Sequence, residues 1–303
     1  MDLQSKIILI SGSTGSGKSS FAVNLAKKIK GEIINADSMQ IYKELRILTA
    51  RPNIKEQKKI KHHLYGFLSI KRKFSTGQWL KFASKKIKEI KKRKKIPILV
   101  GGTGLYFKAL IDGIVKIPKI SMKKRKTITN LQKSLGQNKF YKKLIKIDPK
   151  IKEIVNSNDI QRSIRAYEVK SFTKKSLVDW YKDTKSLFAK DEFVKIYLDC
   201  SRDILLKRIK LRANRMLSGG IREVNKIKNI KVPLSNSSTK IIGINEIKNL
   251  LDKKLNKDQT VELIVIKTRQ YAKRQATWAR GQMKDWKTLI ASETKLPLKK
   301  LLN

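Results

Sequence analysis

One cysteine, Cys200, stands in 303 residues. A lone thiol cannot close an internal disulfide or build a cysteine-rich zinc site, so both are excluded and a reducing compartment suits the chain. The two histidines, His62 and His63, are adjacent and lack the partner spacing of a metal site, so they read as structural. Carboxylates are also scarce: 24 Asp and Glu face 72 Lys and Arg, a formal net charge of +48. No apolar run approaches the ~18–20 residues of a membrane span. The first ten residues enter an apolar strand without an arginine-rich leader or a small-residue cleavage site, which predicts a cytoplasmic protein with no membrane partner.

Hydrophobic residues make up 40% of the chain, enough for a core, and the length suits one large or two modest domains. Of the 72 cations only 15 are arginine and 57 are lysine. Two readings of the excess stay open. Lysine, isoleucine and asparagine are what AT-rich codons supply, and such lysines decorate solvated helix faces. Alternatively, the field serves a polyanionic partner.

Short apolar runs end repeatedly in glycine-rich or polar turns. The first run, at 6–10, leads through a glycine-rich loop to a helix at 18–30, with Gly31 as its stop. A second strand at 32–35 precedes Asp37. A basic helix at 76–95 precedes a third strand at 96–100, and a fourth at 193–199 precedes a helix at 202–216. Strands alternating with helices predict an α/β parallel sheet with right-handed crossovers. Between the third and fourth strands lies a lysine-heavy helical insertion. The predicted domains are 1–112 with 192–303 as a catalytic core, and 113–191 as the insertion. Two further helices are expected at 245–255 and 258–286, set off by loop composition near 235–239. Tyr271 and Trp278, seven apart on the second, read as core residues.

Gly12-Ser13-Thr14-Gly15-Ser16-Gly17-Lys18-Ser19 has phosphate-loop spacing, follows a strand and opens a helix. Glycines let backbone N–H groups curl around phosphate oxygens, Lys18 adds a point charge, and Ser19 can reach Mg²⁺. The loop specifies phosphate, not ATP. A strand-end acidic metal ligand would point to nucleotide hydrolysis. Asp199 is the candidate, although its place before a helix fits a helix cap better. Asp37 lies just past the second strand, at the sheet edge where open α/β folds bind ligands. It can accept a proton there, or cap a turn. Gly101-Gly102-Thr103-Gly104 forms a second glycine-rich turn at that edge. Thr103 offers a hydroxyl to a ligand, or the segment is a simple turn and helix cap.

Together these motifs resemble the bacterial tRNA dimethylallyltransferases. The matching text is 12–19, the segment Asp37-Ser38-Met39-Gln40-Ile41-Tyr42-Lys43 with 49–52, and 100–110. It continues through Asp159-Ile160-Gln161-Arg162-Ser163-Ile164-Arg165-Ala166, 268–275 and 278–281, covering nearly the whole chain. The resemblance implies a P-loop NTPase-like parallel sheet flanked by helices, with an inserted helical tRNA-binding domain. It also implies transfer of a dimethylallyl group from its diphosphate to the exocyclic amine of the adenosine 3′ to the anticodon, in tRNAs reading codons that begin with U.

Roles follow residue by residue. Asp37 matches the general base, Thr103 a substrate-contacting threonine, and Gly12 through Ser19 the diphosphate loop with Mg²⁺ at Ser19. Of Arg208 and Arg212, four apart on one helix, Arg212 is favoured as the diphosphate arginine. The tRNA-binding residues implied are Asp37, Ser38, Met39, Gln40, Thr103, Arg125, Gln161, Arg162, Ser163, Ile164 and Arg165. The partners are a tRNA anticodon stem–loop and dimethylallyl diphosphate, and a monomer is expected. The chain departs from the family pattern at Arg51, where lysine is usual, and at Ile244 and Asn245, where a tyrosine and a basic residue are usual. Competing readings are a P-loop kinase acting on a small molecule or nucleoside, and a non-catalytic RNA-binding module.

Overall fold

The computed structural model describes residues 3, 5–53, 57–58, 60–233 and 236–291. The chain divides into two compact units. One runs to Ile111 and resumes at Phe188; the other is Asp112–Leu187.

The first unit is built on six parallel strands: β1 (Ile7–Ser11), β2 (Gly31–Asn35), β3 (His62–His63), β4 (Ile96–Gly101), β5 (Phe193–Asp199) and β6 (Lys287–Ile290). Their spatial order is β3-β2-β4-β1-β5-β6, a helix-flanked parallel sheet of the expected class. The sequences of β1 and β4 are apolar without alternation because both sheet faces are covered there. Ile7 and Leu9 pack on one side with Trp79, Ala83, Ile87 and Ile90 of α2 (Thr76–Lys92) and with Phe107 of α3 (Gly104–Asp112). Ile8 and Ile10 pack on the other side with Phe21, Ala22 and Leu25 of α1 (Lys18–Lys28). All four strand residues are fully buried, each contributing about 1.5–3 kcal/mol of transfer free energy. Helix α2 begins where Ser75 and Gln78 form a reciprocal capping box, and its cationic residues occupy the face away from the apolar stripe.

Several boundaries differ from expectation. Helix α1 is stopped by Lys30, which takes the left-handed conformation (φ 54°), and Gly31 instead opens β2. Strands β3 and β6 were not expected. Two residues give β3 no periodicity to read. The last helix, expected to reach 286, ends at Gln282, and β6 follows that stretch from Lys287. The helix predicted at 202–216 runs on as α7 (Arg202–Ile227) through Gly219 and Gly220. Those glycines are where Ile47 and Leu48 approach, so packing outweighs their poor propensity. Helices α8 (Ile244–Leu251) and α9 (Lys257–Gln282) pack with α7 around Tyr42, Leu45, Met216, Ile247 and Ile264.

The second unit contains α4 (Met122–Ile147), broken at Gly136, then a 3₁₀ turn at Pro149–Glu153, α5 (Ile160–Thr173) and α6 (Leu177–Lys182). Leu144, Ile151, Val155, Ala166 and Val169 form its core. Asp159 caps α5 by accepting the Arg162 N–H at 2.9 Å.

Candidate active site

Neighbouring parallel strands deliver their C-terminal ends to one sheet edge, and three turns emerge there side by side. Ser11 of β1 is in register with Gly101 of β4, and Asn35 of β2 with Val100. The loops beginning at Gly12, Ala36 and Gly102 are therefore neighbours by topology. They are also bonded: Ala36 N–H donates to Val100 O at 2.8 Å, and Thr103 N–H to Ala36 O at 3.2 Å.

Asp37 is held from both directions. The Asn35 side chain accepts the Asp37 N–H at 2.9 Å and donates to Asp37 O at 2.9 Å and Leu64 O at 3.0 Å. Asn35 is itself fixed where Trp79 Nε1 donates to its carbonyl at 2.8 Å. One carboxylate oxygen, Oδ1, accepts the Met39 N–H at 2.9 Å. Among the described residues the other oxygen accepts no hydrogen bond, so Asp37 forms a turn and still keeps a free acceptor. Thr103 Oγ1 accepts the Ser38 N–H at 2.9 Å and lies 3.2 Å from Ser38 Oγ. Its hydroxyl thus ties the Asp37 loop to the second glycine-rich turn. Gln40 Nε2 donates to Thr49 O at 3.1 Å, and Met39 packs half-buried against Ile41 and Tyr42.

In the phosphate loop, Gly17 sits at φ 91° just before α1, a conformation that a side chain would strain. Lys18 Nζ donates to Ser13 O at 3.1 Å. Burial lowers the Lys18 ammonium to about 8; the Asp37 charge opposes that shift and the Arg212 charge adds to it. Arg212 Nη1 donates to Thr14 Oγ1 at 2.5 Å and Arg208 Nη1 to Gly15 O at 3.2 Å, so both arginines of the pair reach the loop. Burial also pulls the Arg212 guanidinium down, against the pull of Asp37, yet an arginine stays charged. Two buried polar atoms here, Ser16 Oγ and Arg212 Nε, have no partner among the described residues. Unpaired donors in a cationic loop fit an anion.

A cleft of ≈ 1300 Å³ opens beside Ser19, Arg208 and Arg212 and extends past Arg46, Arg51 and Arg222. Glu223 lines it, but its carboxylate is turned to the N–H groups of Arg46, Ile47 and Leu48 at 2.7–3.1 Å. Among the described residues no group of three or more His, Cys, Asp or Glu could hold a metal. Asp199 is not the helix cap it resembles. Ser201 caps α7, and Asp199 Oδ1 accepts the Cys200 N–H at 2.9 Å. The histidines are structural: His63 Nε2 lies 2.7 Å from Glu32 Oε2.

Some participants lie in the matched segment 268–275 without a role expected for them. Gln275 of α9 accepts the Thr14 N–H at 2.8 Å and donates to Gly102 O at 2.9 Å, so it joins the two glycine-rich turns. A Cβ on Gly102 would come within 2.0 Å of Gln275 Nε2, so the second turn needs a glycine for this approach. Tyr65, Tyr106 and Tyr271 all sense the Asp37 charge, and burial first and that charge second push each phenol well above its usual value. Tyr271, expected in the core, joins this group instead, whereas Trp278 packs on the core as expected.

In the helical unit the candidate RNA residues differ in accessibility. Gln161 and Arg162 are exposed, while Ile164 and Arg165 are half-buried. Arg165 Nη1 and Arg125 Nε share Glu168, at 3.2 and 3.8 Å. Ser163 is fully buried and its hydroxyl accepts from Gln137 at 3.1 Å, so its side chain serves the helix packing.

A family model described as IPP transferase matches residues 40–282. A Pelagibacter ubique protein named tRNA dimethylallyltransferase is 59% identical over 287 residues, 94% of this chain and 92% of that one. A Rickettsia prowazekii protein of the same name is 41% identical over 96% of this chain and 94% of its own. The solved full-length tRNA isopentenylpyrophosphate transferase of Bacillus halodurans aligns at TM-score 0.70 and 30% identity, over 98% and 93% of the two chains. A eukaryotic dimethylallyltransferase acting on tRNA aligns at TM-score 0.84 and 29% identity, over 98% and 77%. A phosphate loop and a carboxylate turn joined at one sheet edge thus accompany similarity along nearly the full length, and the chain belongs to the IPP transferase family.

Proposed function

We propose that this protein transfers the dimethylallyl group of dimethylallyl diphosphate to the N6 amine of the adenosine 3′ to a tRNA anticodon, in tRNAs reading codons that begin with U. The carrying observation is the pairing of an anion-binding loop and a free carboxylate oxygen at one sheet edge. Lys18, Arg212 and the first-turn N–H groups of α1 take the departing diphosphate as the carbon–oxygen bond breaks. The adenine amine forms the new bond to the allylic carbon, and its proton passes to Asp37. Thr103 and Ser38 hold the Asp37 loop in place for that transfer. An unpaired loop nucleotide is cheap to unstack, which suits an enzyme whose base acceptor lies in a crevice.

A magnesium ion would enter with the diphosphate. Ser19, exposed at the cleft, would hold it together with phosphate oxygens and water, and the ion would neutralise leaving-group charge. Arg125, Gln161, Arg162 and Arg165 supply cations and a polar side chain for the RNA backbone. We infer a monomer, and a tRNA substrate sets the reaction in the cytoplasm. No helix among the described residues is long and apolar enough to cross a membrane. The kinase reading is not favoured, because the family similarity runs along the chain.

The test is incubation with dimethylallyl diphosphate, Mg²⁺ and an anticodon stem–loop carrying adenosine at the last anticodon position and the next one. Mass analysis should show one five-carbon unit on the second adenosine and release of diphosphate. ATP consumption with a nucleoside acceptor, and unmodified RNA, would overturn the reading.

A further inference from the structure

Three phenylalanines form an exposed cluster that no catalytic step uses. The Phe67 and Phe74 rings meet edge to face at 5.5 Å, and Phe82 lies 5.8 Å from Phe67 and 6.1 Å from Phe74. Phe74 is half-buried and packs on the core, but Phe67 and Phe82 remain 39% and 44% exposed. Two solvent-facing aromatic rings held against a buried third cost hydration free energy and stabilise the core little.

The cluster's place and charge point to its occupant. Phe67 lies on a segment that runs beside the loop after Asp37: Gly66 N–H donates to Gln40 O at 3.0 Å and Leu68 N–H to Ile41 O at 2.9 Å. Phe67 is therefore about 5 Å of backbone from Gln40 and Ile41, one inter-strand step. From Phe67 through Lys88 the sequence has no carboxylate and seven cations: Lys71, Arg72, Lys73, Lys81, Lys85, Lys86 and Lys88. The first five are exposed. Exposed rings on a segment rich in exposed cations, with Glu44 turned to the Ile70 N–H and Glu89 to Lys86, match the composition of single-strand nucleic-acid platforms, where bases stack on aromatics and cations hold phosphates. An apolar protein face would leave those cations without partners, and the place beside the loop after Asp37 favours RNA over an anionic lipid surface.

We propose that Phe67 and Phe82 form a stacking platform for an unpaired loop nucleotide of the RNA substrate, beside the Asp37 loop. The proposal rests on the tRNA reading above and names one way that the same site grips its substrate. Stacking on a ring tolerates any base, so the platform contributes affinity and orientation without adding sequence preference.

The test compares wild type with a Phe67→Ser/Phe82→Ser double variant and a Phe67→Tyr/Phe82→Tyr double variant in the full chain. Both positions are exposed, and Phe74 is kept, so the melting temperature should hold. The serine variant should bind the stem–loop roughly 5- to 100-fold more weakly, with an unchanged KM for dimethylallyl diphosphate and a kcat near wild type at saturating RNA. The tyrosine variant should bind as wild type does. Stem–loops with abasic sites at successive loop positions should reveal one position that weakens wild type but not the serine variant. Equal RNA affinity of wild type and the serine variant would overturn the platform, as would a change in sedimentation alone, which marks a protein contact. Wild type that fails to modify the stem–loop would instead overturn the tRNA reading itself.

Discussion

Gln275 donates from its side-chain amide to the Gly102 carbonyl at 2.9 Å. Its other atom accepts the Thr14 N–H at 2.8 Å, so one residue of α9 fixes the spacing between the phosphate loop and the turn that bears Thr103. Gln275→Ala leaves the Thr14 N–H without its partner, at a cost of about 1–3 kcal/mol. Steady-state kinetics should show KM for the diphosphate raised and kcat lowered together, by roughly 10-fold or more, with RNA affinity little changed. Gln275→Glu keeps the acceptor, loses the donor and adds a negative charge beside the loop, so it should weaken diphosphate binding at least as much. Wild-type kinetics in both variants would remove Gln275 from the site.

The lowered Lys18 ammonium sets a pH limit. Burial holds it at about 8, so the free enzyme loses this charge as pH rises through that value. The pH profile of kcat/KM for the diphosphate should fall above about pH 8 with unit slope, while kcat falls less because bound diphosphate restores the charge. Lys18→Met should be slow at every pH and lack that limb. The linkage sign for stability is the opposite. Between pH 8 and the ordinary lysine value near 10.5 the unfolded chain binds more protons, so this group makes the fold more stable as pH rises.

Glu32 tests the frame of the sheet. Only 2% exposed, it lies 2.7 Å from both His63 Nε2 and Arg93 Nη2. Burial alone would raise its carboxyl, but the hydrogen bonds from Arg93 and His63 bring it below its usual value. Glu32→Gln should cost about 2–4 kcal/mol in urea unfolding at neutral pH. The contribution is present above the unfolded carboxylate pKa and disappears as pH falls through the folded one, so the two proteins should converge in acid.

Among the candidate RNA arginines, Arg162 is the most exposed. Its side chain is 70% exposed and lies 3.5 Å from Asp159, whereas Arg125 and Arg165 share Glu168. Arg162→Ala should weaken stem–loop binding and reduce the slope of log affinity against log salt by about one. Arg165→Ala should do less, and Ser163→Ala should leave the slope unchanged because Ser163 is buried. Equal slopes for wild type and Arg162→Ala would take Arg162 out of RNA binding.

The glycine-rich loop, the Asp37 turn and the strand runs at Ile7–Ser11 and Ile96–Gly101 could be read in the sequence because each is a local pattern with a local cause. Gln275 could not. Its role arises from two backbone groups more than 170 residues away. The same holds for Tyr271, whose helical spacing suggested core and whose phenol is raised by burial first and by the Asp37 charge second. Strand β3 is too short to show a period, and Lys30 ended α1 where a glycine stood one residue later. At Ser163 a motif match coincides with a buried hydroxyl, because one helix turn must face inward whatever its neighbours do. The charge also resolves in part: Arg208 and Arg212 reach the phosphate loop, while most lysines sit on exposed helix faces and give a general field that speeds encounter.

Asp37 is the residue on which the account turns, and Asp37→Asn isolates its free carboxylate oxygen with little change in shape. Single-turnover transfer to the stem–loop, measured beside stem–loop affinity, separates chemistry from binding. The account predicts a transfer rate lowered by roughly 100-fold or more, with affinity for RNA and for diphosphate within a few-fold of wild type. Equal losses in rate and RNA affinity, or an unchanged rate, would contradict Asp37 as the proton acceptor.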